Sequence, residues 1–227
     1  RGGFLAATQS GFRTFDWGSP VVTTLAQPEA DRPGNRFNDG KCDARGRFWA
    51  GTLAIDTKPG EGALWRLDPD GRVTKMESGF HVSNGLGWSP DTRRFYFTDT
   101  GAKRIYVYDH DIETGTIANR RVFVQLPDGV GSPDGLTVDA DGHVWSAHWD
   151  GWCVTRYDPD GRVDRVINLP VPRPTSCTFG GPDLATLYVT SARIRLSARQ
   201  LAEAPLSGGV FAVTAGVRGQ PDNAFAG

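Results

Sequence analysis

Three short segments of the chain offer oxygen atoms of the kind that bind metal ions. They are Asn38-Asp39-Gly40, Asn84-Gly85-Leu86 and Asp134-Gly135-Leu136. Carboxylate and amide oxygens are the ligands that hard divalent cations prefer. We therefore predict a site for one divalent cation (Ca, Zn, Mg, Mn or Fe(II)), with Asn84 and Asp134 among its ligands.

The same segments have a simpler interpretation, because Asn-Gly and Asp-Gly pairs are common turn formers. For a single pair we would favour the turn. Here each segment opens a predicted strand instead of closing a hairpin, and all three stand in the same register of a repeat. That recurrence favours a shared site, with the turn as the alternative.

The repeat consists of an aromatic strand that recurs five times. Its anchors lie 45, 47, 49 and 43 residues apart and are Phe4, Trp49, Tyr96, Trp145 and Tyr188. A period of about 40 to 50 residues is typical of β-propeller blades. A second strand follows each anchor, and turns such as Asp68–Gly71 and Asp158–Gly161 separate the strands. In a propeller the first strand of each blade lines the channel, so equivalent residues converge there.

The first copy of the repeat is shorter than the others, since only three residues precede Phe4. Its innermost strand is absent from the sequence, so we expect the chain to begin inside a blade. We predict a single β-propeller domain over residues 1–227 that is incomplete at its N-terminus.

Composition narrows the function classes. The 25 Lys and Arg residues nearly balance the 26 Asp and Glu residues, so nothing draws the protein to nucleic acid. No apolar run approaches the ~20 residues of a membrane helix. Cys42, Cys153 and Cys177 lack CxxC spacing, which indicates core residues in a reducing, cytoplasmic protein. No obligate protein partner is evident.

The sequence patterns of other hydrolases are not visible. Ser176 and Ser191 lack the GxSxG context of serine hydrolases, and the histidines form no HExxH or HxH pattern. His81 and His148 stand beside predicted channel segments. For each of them we favour a hydrogen-bonded structural histidine over a role in the site.

Longer motifs in a fixed order resemble a known family. They are NRFNDGKCD at Asn35–Asp43, GRFWAGT at Gly46–Thr52, SNGL at Ser83–Leu86, SPDG at Ser132–Gly135 and RPTSCTFGG at Arg173–Gly181. Together they look like the senescence-marker-protein/gluconolactonase family, and the similarity covers nearly the whole chain. The resemblance implies an all-β, six-bladed propeller of four-stranded blades, with the first blade or so missing from this chain.

The resemblance also implies an activity, the opening of small sugar lactones with one divalent cation. By the family pattern Asn84 and Asp134 are metal ligands, and Asp134 is also the acid/base. Arg36 and Asn38 would contact the substrate. Asp56 stands where the family has a substrate-binding glutamate, whose side chain is one methylene longer. The remaining metal ligand of the family, an N-terminal glutamate, has no counterpart in this sequence.

Lactone hydrolysis is also consistent with the chemistry of these side chains. The reaction needs a polarised carbonyl and a deprotonated water, and one cation provides both. Asp134 can accept the proton, because a cation keeps its carboxyl ionised, whereas the amide of Asn84 cannot. The Arg36 guanidinium would donate to substrate hydroxyls. The alternative for Arg36 is a surface ion pair with Asp31 or Asp39.

A second class of function stays open at this stage. Propellers host many unrelated activities, so the fold by itself decides none of them. The alternative to a lactonase is a non-catalytic propeller that binds cations, sugars or a protein partner. Lactone hydrolysis measured with and without a chelator would separate these two interpretations.

Overall fold

The computed structural model of the chain describes residues 3–227. The regular structure of these residues consists of eighteen strands and one short helix. The strands are β1 (Phe4–Thr8), β2 (Gly11–Phe15), β3 (Val22–Ala26), β4 (Asn35–Cys42), β5 (Phe48–Ala54), β6 (Gly62–Leu67), β7 (Val73–Phe80), β8 (Ser83–Trp88), β9 (Arg94–Asp99), β10 (Arg104–Asp111), β11 (Thr116–Gln125), β12 (Ser132–Val138), β13 (Val144–Trp149), β14 (Cys153–Tyr157), β15 (Val163–Asn168), β16 (Pro174–Gly180), β17 (Thr186–Ser191) and β18 (Val210–Thr214). The helix α1 spans Ala198–Glu203.

Residues 3–227 form five sheets, in which the strands follow chain order as they do in propeller blades. Three sheets have four strands, namely β4–β7, β8–β11 and β12–β15, and two have three strands, namely β1–β3 and β16–β18. The prediction of six blades is therefore wrong. The number six came from the family resemblance alone, whereas the chain itself contains five aromatic repeats, and each of them builds one sheet.

The five sheets do not test the prediction that the chain begins inside a blade. The expected beginning at Arg1 lies outside the described residues. A single domain, incomplete at its N-terminus, stays a prediction.

The aromatic anchors lie on strands, as predicted, but their burial differs between sheets. Trp49, Tyr96 and Trp145 are buried in the four-stranded sheets, whereas Phe4 and Tyr188 are partly exposed in the three-stranded ones. Each large aromatic side chain removes about 150–250 Å² from water when it is buried. The cores of the four-stranded blades are therefore built around their anchors.

The predicted turns also form. Gly71, Gly142 and Gly161 follow Asp in the connections between strands and have φ angles of 88°, 83° and 85°. Such a positive φ costs glycine little because it has no Cβ. These Asp-Gly pairs are therefore true turns. The glycines of the predicted site segments do not share their positive φ.

The first of two compact units runs to Asn84 and includes Ile112–Thr116 and Asp222–Gly227. Its core joins the first two sheets, where the rings of Phe12 and Phe37 lie 4.7 Å apart. The final segment is held to the β4–β5 connection, since the amide of Ala226 donates to the carbonyl of Gly46 over 3.1 Å.

The second unit comprises Gly85–Asp111 and Ile117–Pro221. One of its core clusters lies between the fourth and fifth sheets, where the rings of Trp145 and Phe179 meet edge to face at 5.8 Å. Edge-to-face pairs add about 0.5–1.5 kcal/mol to the effect of burial. This packing places β12 beside β16.

Two further sequence predictions can be compared with the structure. Cys153 and Cys177 are buried as predicted, Cys42 is half-buried, and all three are free thiols. Within residues 3–227, no helix combines the length and the apolar character needed to cross a bilayer. The cytoplasmic location stays a prediction.

Candidate functional site

The glycines of the three predicted site segments are required by close packing and not by turn geometry. Gly40, Gly85 and Gly135 lie within strands, and none of them has a positive φ. A Cβ on Gly85 would lie 2.7 Å from the carbonyl oxygen of Asp134. A Cβ on Gly135 would lie 2.3 Å from Oγ of Ser176. Only glycine allows this approach between neighbouring strands, so the turn interpretation is wrong here.

The first strands of three sheets are irregular, two of them at predicted site residues. Relative to its neighbour, β4 contains one extra residue at Asn38, β12 contains one at Asp134–Gly135, and β16 contains one at Thr175. Such β-bulges redirect side chains and occur often beside functional sites. The sequence predicted the site positions but gave no sign of the bulges that set their orientation.

Arg36 and Asn38 form one hydrogen-bonded group in the first unit. Nη1 of Arg36 donates to Oδ1 of Asn38 over 2.8 Å and to the carbonyl of Phe37 over 2.9 Å. Nδ2 of Asn38 donates to the carbonyl of Ser83 over 2.8 Å, so the group reaches the residue before Asn84. The structure thus brings two of the three predicted substrate residues, Arg36 and Asn38, together on β4.

The ion pair that we considered as an alternative for Arg36 is not formed. Within the described part of the chain, neither Asp31 nor Asp39 lies within ion-pair distance of Arg36. A guanidinium has five N–H donors, and the contacts to Phe37 and Asn38 use only one of its nitrogens. The N–H groups on the other two nitrogens of Arg36 therefore remain for a polar ligand.

Asp56 lies in an exposed turn that follows β5. Its Oδ1 accepts a hydrogen bond from the amide of Lys58 over 3.1 Å, and the next residue, Thr57, has a φ of 58°. The carbonyl of Thr57 accepts from Nε2 of His81 over 2.7 Å. His81 is thus a hydrogen-bonded structural residue, as predicted, and it holds the turn that carries Asp56.

Glu29 organises the same region and was missed by the sequence analysis. Its Oε1 accepts hydrogen bonds from Thr52 Oγ1 at 2.9 Å and Trp65 Nε1 at 2.8 Å, and its Oε2 accepts from Asn35 Nδ2 at 2.9 Å. One carboxylate thereby ties the loop before β4 to β5 and β6. A cavity of about 350 Å³ lies between this loop and Arg36. Only the fold brings these donors together, so no sequence signal marks Glu29.

Asp39 is the acidic residue of the β4 segment, and its surroundings change its acidity. Burial raises the pKa of the Asp39 carboxyl, and the hydrogen bond from the Gly40 amide at 2.7 Å and the charge of Lys41 oppose this only in part. Asp39 therefore keeps its proton to a higher pH than an exposed aspartate does.

The side chains of the predicted metal site can be compared with the ligands that a divalent cation prefers. Across residues 3–227, no group of three or more His, Cys, Asp or Glu side chains is arranged to hold a metal ion. Asn84 and Asp134 are buried, with 8% and 9% of their surfaces exposed, and each lies near the start of the first strand of its sheet. Each of these two side chains offers an oxygen of the kind that a hard cation accepts as a ligand, together with oxygens of water or substrate.

Comparisons with known proteins identify a family and several relatives of this chain. Residues 1–193 match the SMP-30/Gluconolactonase/LRE-like region. Regucalcin of Danio rerio is 41% identical over 230 residues, which cover 100% of this chain and 78% of that protein. A calcium-binding protein, regucalcin, from Agrobacterium tumefaciens has a TM-score of 0.93 at 33% identity, over 98% of this chain and 76% of that one.

A gluconolactonase from Xanthomonas campestris is a more distant match. It has a TM-score of 0.70 at 27% identity, over 83% of this chain and 65% of that one. The resemblance drawn from the sequence motifs is thus confirmed in sequence and in structure. The chain belongs to the SMP-30/gluconolactonase/LRE-like family.

Proposed function

We propose that this protein hydrolyses a sugar lactone with the help of one divalent cation. The observation that carries the proposal is that the bulges of β4 and β12 fall on Asn38 and Asp134, two of the predicted site residues. Family membership and the gluconolactonase relative support the same reaction. The substrate, the metal and the residue roles below are parts of the proposal.

Substrate binding is assigned to the Arg36 group. Arg36 has its Nη1 fixed by Phe37 and Asn38, so the rest of its planar donor set is held in place for hydroxyl groups. Glu29 keeps the adjoining loop in position through Asn35. An oriented set of donors favours a hydroxylated substrate over an apolar ester.

Proton transfer is assigned to Asp134. A divalent cation held by Asn84 and Asp134 would polarise the lactone carbonyl and lower the pKa of a water molecule. In the ionised state Asp134 takes a proton from the water that attacks the carbonyl carbon. It then gives the proton to the ring oxygen as the carbon–oxygen bond breaks, and the product is an open hydroxy acid.

The direct test is hydrolysis of glucono-δ-lactone by the wild type and by Asp134→Asn. The amide can still bind a cation but cannot accept a proton, so we expect kcat to fall by about 10²–10⁴. Asp160→Asn, a substitution at an exposed aspartate in the β14–β15 turn, is the matched control and should retain full activity. Near-normal turnover by a folded Asp134→Asn protein would overturn the assignment.

A second candidate function is calcium binding without catalysis. It is favoured by the Agrobacterium relative, which is described as a calcium-binding protein. Calcium titration by calorimetry, with Asn84→Ala as the variant, separates the two. Saturable calcium binding without turnover of any lactone, with any added divalent metal, would favour this candidate. An unchanged titration for Asn84→Ala would remove Asn84 from the ligand set under either function.

A further inference from the structure

A cavity of about 510 Å³ lies in the second unit, and none of the predicted site residues lines it. It is bounded by the end of β11, the loop that follows this strand, and side chains of β13, β14 and β15. Its volume falls within the roughly 300–1,000 Å³ typical of small-molecule sites.

The cavity presents no charge among its described lining residues. Its walls are formed mainly by aliphatic side chains such as Leu126, Val130 and Val163, and no Asp, Glu, Lys or Arg is among the lining residues that the structure describes. Of the lining residues within 3–227, His148 is the only titratable base, and burial lowers its pKa, so the imidazole is neutral at neutral pH. An ionic ligand would therefore lose its hydration without gaining a counter-charge.

The polar side chains of the cavity already have partners. The hydroxyl of Tyr157 lies 3.2 Å from Nε2 of His148, and Nδ1 of His148 lies 3.2 Å from the carbonyl of Val130. Because a carbonyl can only accept, Nδ1 carries the proton and Nε2 accepts from Tyr157. Cys153 Sγ and Thr155 Oγ1 contact each other at 3.8 Å. Ordered water needs two to four polar partners, and this cavity offers few.

The mouth of the cavity exposes apolar surface to solvent. Val163 is 62% exposed, Val166 is 49% exposed and Val130 is 41% exposed, and all three line the same cavity. Their convergence on one opening differs from a scatter of single exposed aliphatic residues, which would need no explanation. A ligand that fills the cavity would cover this surface.

We propose that the cavity binds a neutral small molecule that consists mainly of hydrocarbon. The absence of charge in the described lining excludes carboxylates and phosphates as ligands, and the satisfied hydrogen bonds remove any requirement for a polar group. The driving force is the burial of ligand and valine surface. The proposal does not depend on lactone hydrolysis, because the cavity and the predicted site share no residue.

The test uses Nile red, an uncharged dye whose emission shifts to the blue in apolar surroundings, with the full chain in the absence of lactone and metal. We expect saturable binding with one dye per chain. Val166→Asp should weaken this binding by about tenfold or more, because the carboxylate loses hydration when the cavity fills. Val210→Asp, on β18 and outside the cavity, changes a valine that is 67% exposed and should have no effect.

Competition then identifies the class of ligand. 1-Decanol should displace the dye, whereas decanoate, with the same chain and a negative charge, should compete about tenfold more weakly or not at all. Equal competition by the two compounds would overturn the assignment to neutral ligands. Absent or non-saturable dye binding, or equal loss in Val166→Asp and Val210→Asp, would overturn the cavity as a ligand site.

Discussion

Two aspartates lie near opposite ends of β12, and their surroundings differ. Asp134 lies in the bulge near the start of the strand, beside the glycine that allows close approach of β16. Asp139 directly follows the strand and is fully buried. Its Oδ1 accepts from the amides of Asp141 and His143, and its Oδ2 accepts from Trp145 Nε1 and Arg156 Nε, all within 3.0 Å.

The first unit repeats this arrangement on β4. Asn38 lies in the bulge near the start, whereas Asp43 directly follows the strand. Oδ1 of Asp43 accepts from two backbone amides, and Oδ2 accepts from Arg47 Nε at 2.6 Å and Trp49 Nε1 at 2.9 Å. In both blades the acid after the strand is saturated by fixed donors and therefore serves stability, whereas the irregular start of the strand carries the predicted chemistry.

The largest expected difference between the two ends of β12 is in the stability of the variants. Asp139→Ala leaves Nε1 of Trp145 and Nε of Arg156 buried without their acceptor, although Arg156 keeps its ion pair with Asp164. With the two backbone amides that also lose their acceptor, the loss should cost about 3–5 kcal/mol of unfolding free energy. Asp134→Ala should cost no more than about 1 kcal/mol, the average for a point substitution. Urea denaturation of both variants measures the difference. Equal losses would show that the two carboxylates have the same structural role.

Arg36 on β4 and Arg47, which pairs with Asp43 just after β4, give the corresponding comparison in the first unit. Arg36→Ala should lower kcat/KM for a hydroxylated lactone. The expected loss of transition-state stabilisation is about 1.5–3 kcal/mol, the value of hydrogen bonds from a charged group. An unsubstituted lactone should be affected less. Arg47→Ala should instead lower the urea midpoint, because Arg47 is buried against Asp43. If Arg36→Ala lowers turnover of both lactones equally, Arg36 does not bind substrate hydroxyls.

The close approach of β8 to β12 near the predicted site can be tested by adding a single methyl group to Gly85. Gly85→Ala places a Cβ 2.3 Å from the amide nitrogen of Leu136 and should cost about 1–3 kcal/mol of stability. Gly34→Ala is the control, since its Cβ would meet nothing within 4 Å. That variant should be neutral or slightly stabilising. A Gly85→Ala protein as stable as the control would contradict the packing argument.

The smallest expected effect concerns pH. His148, which pairs with Pro133 beside Asp134, has its pKa lowered by burial. The unfolded chain therefore binds a proton more readily, and stability should fall as pH drops from about 6.5, the unfolded value, through the lower folded pKa. His148→Gln cannot titrate and should flatten this part of the curve. Denaturation midpoints measured between about pH 7.5 and about pH 5 test it.

Much of the secondary structure could be read from the sequence. The aromatic anchors and the Pro- and Gly-containing turns predicted strands where strands occur, because both signals are local. The count of six blades was wrong, because it rested on likeness to the family and not on the five repeats in this chain. Asp43 and Asp139 were missed, although each stands six residues before the aromatic anchor of its blade. That shared spacing was a signal available in the sequence.

The sequence by itself determined the period, the turns and the residue types at the start of each first strand, since these depend on local backbone preference and on side-chain chemistry. Only the tertiary structure decided that Gly85 and Gly135 serve close packing, that bulges fall on Asn38 and Asp134, and that Glu29 joins three segments. Those features depend on the approach of strands distant in the chain. No local pattern encodes such contacts, because their geometry exists only after the sheets have packed.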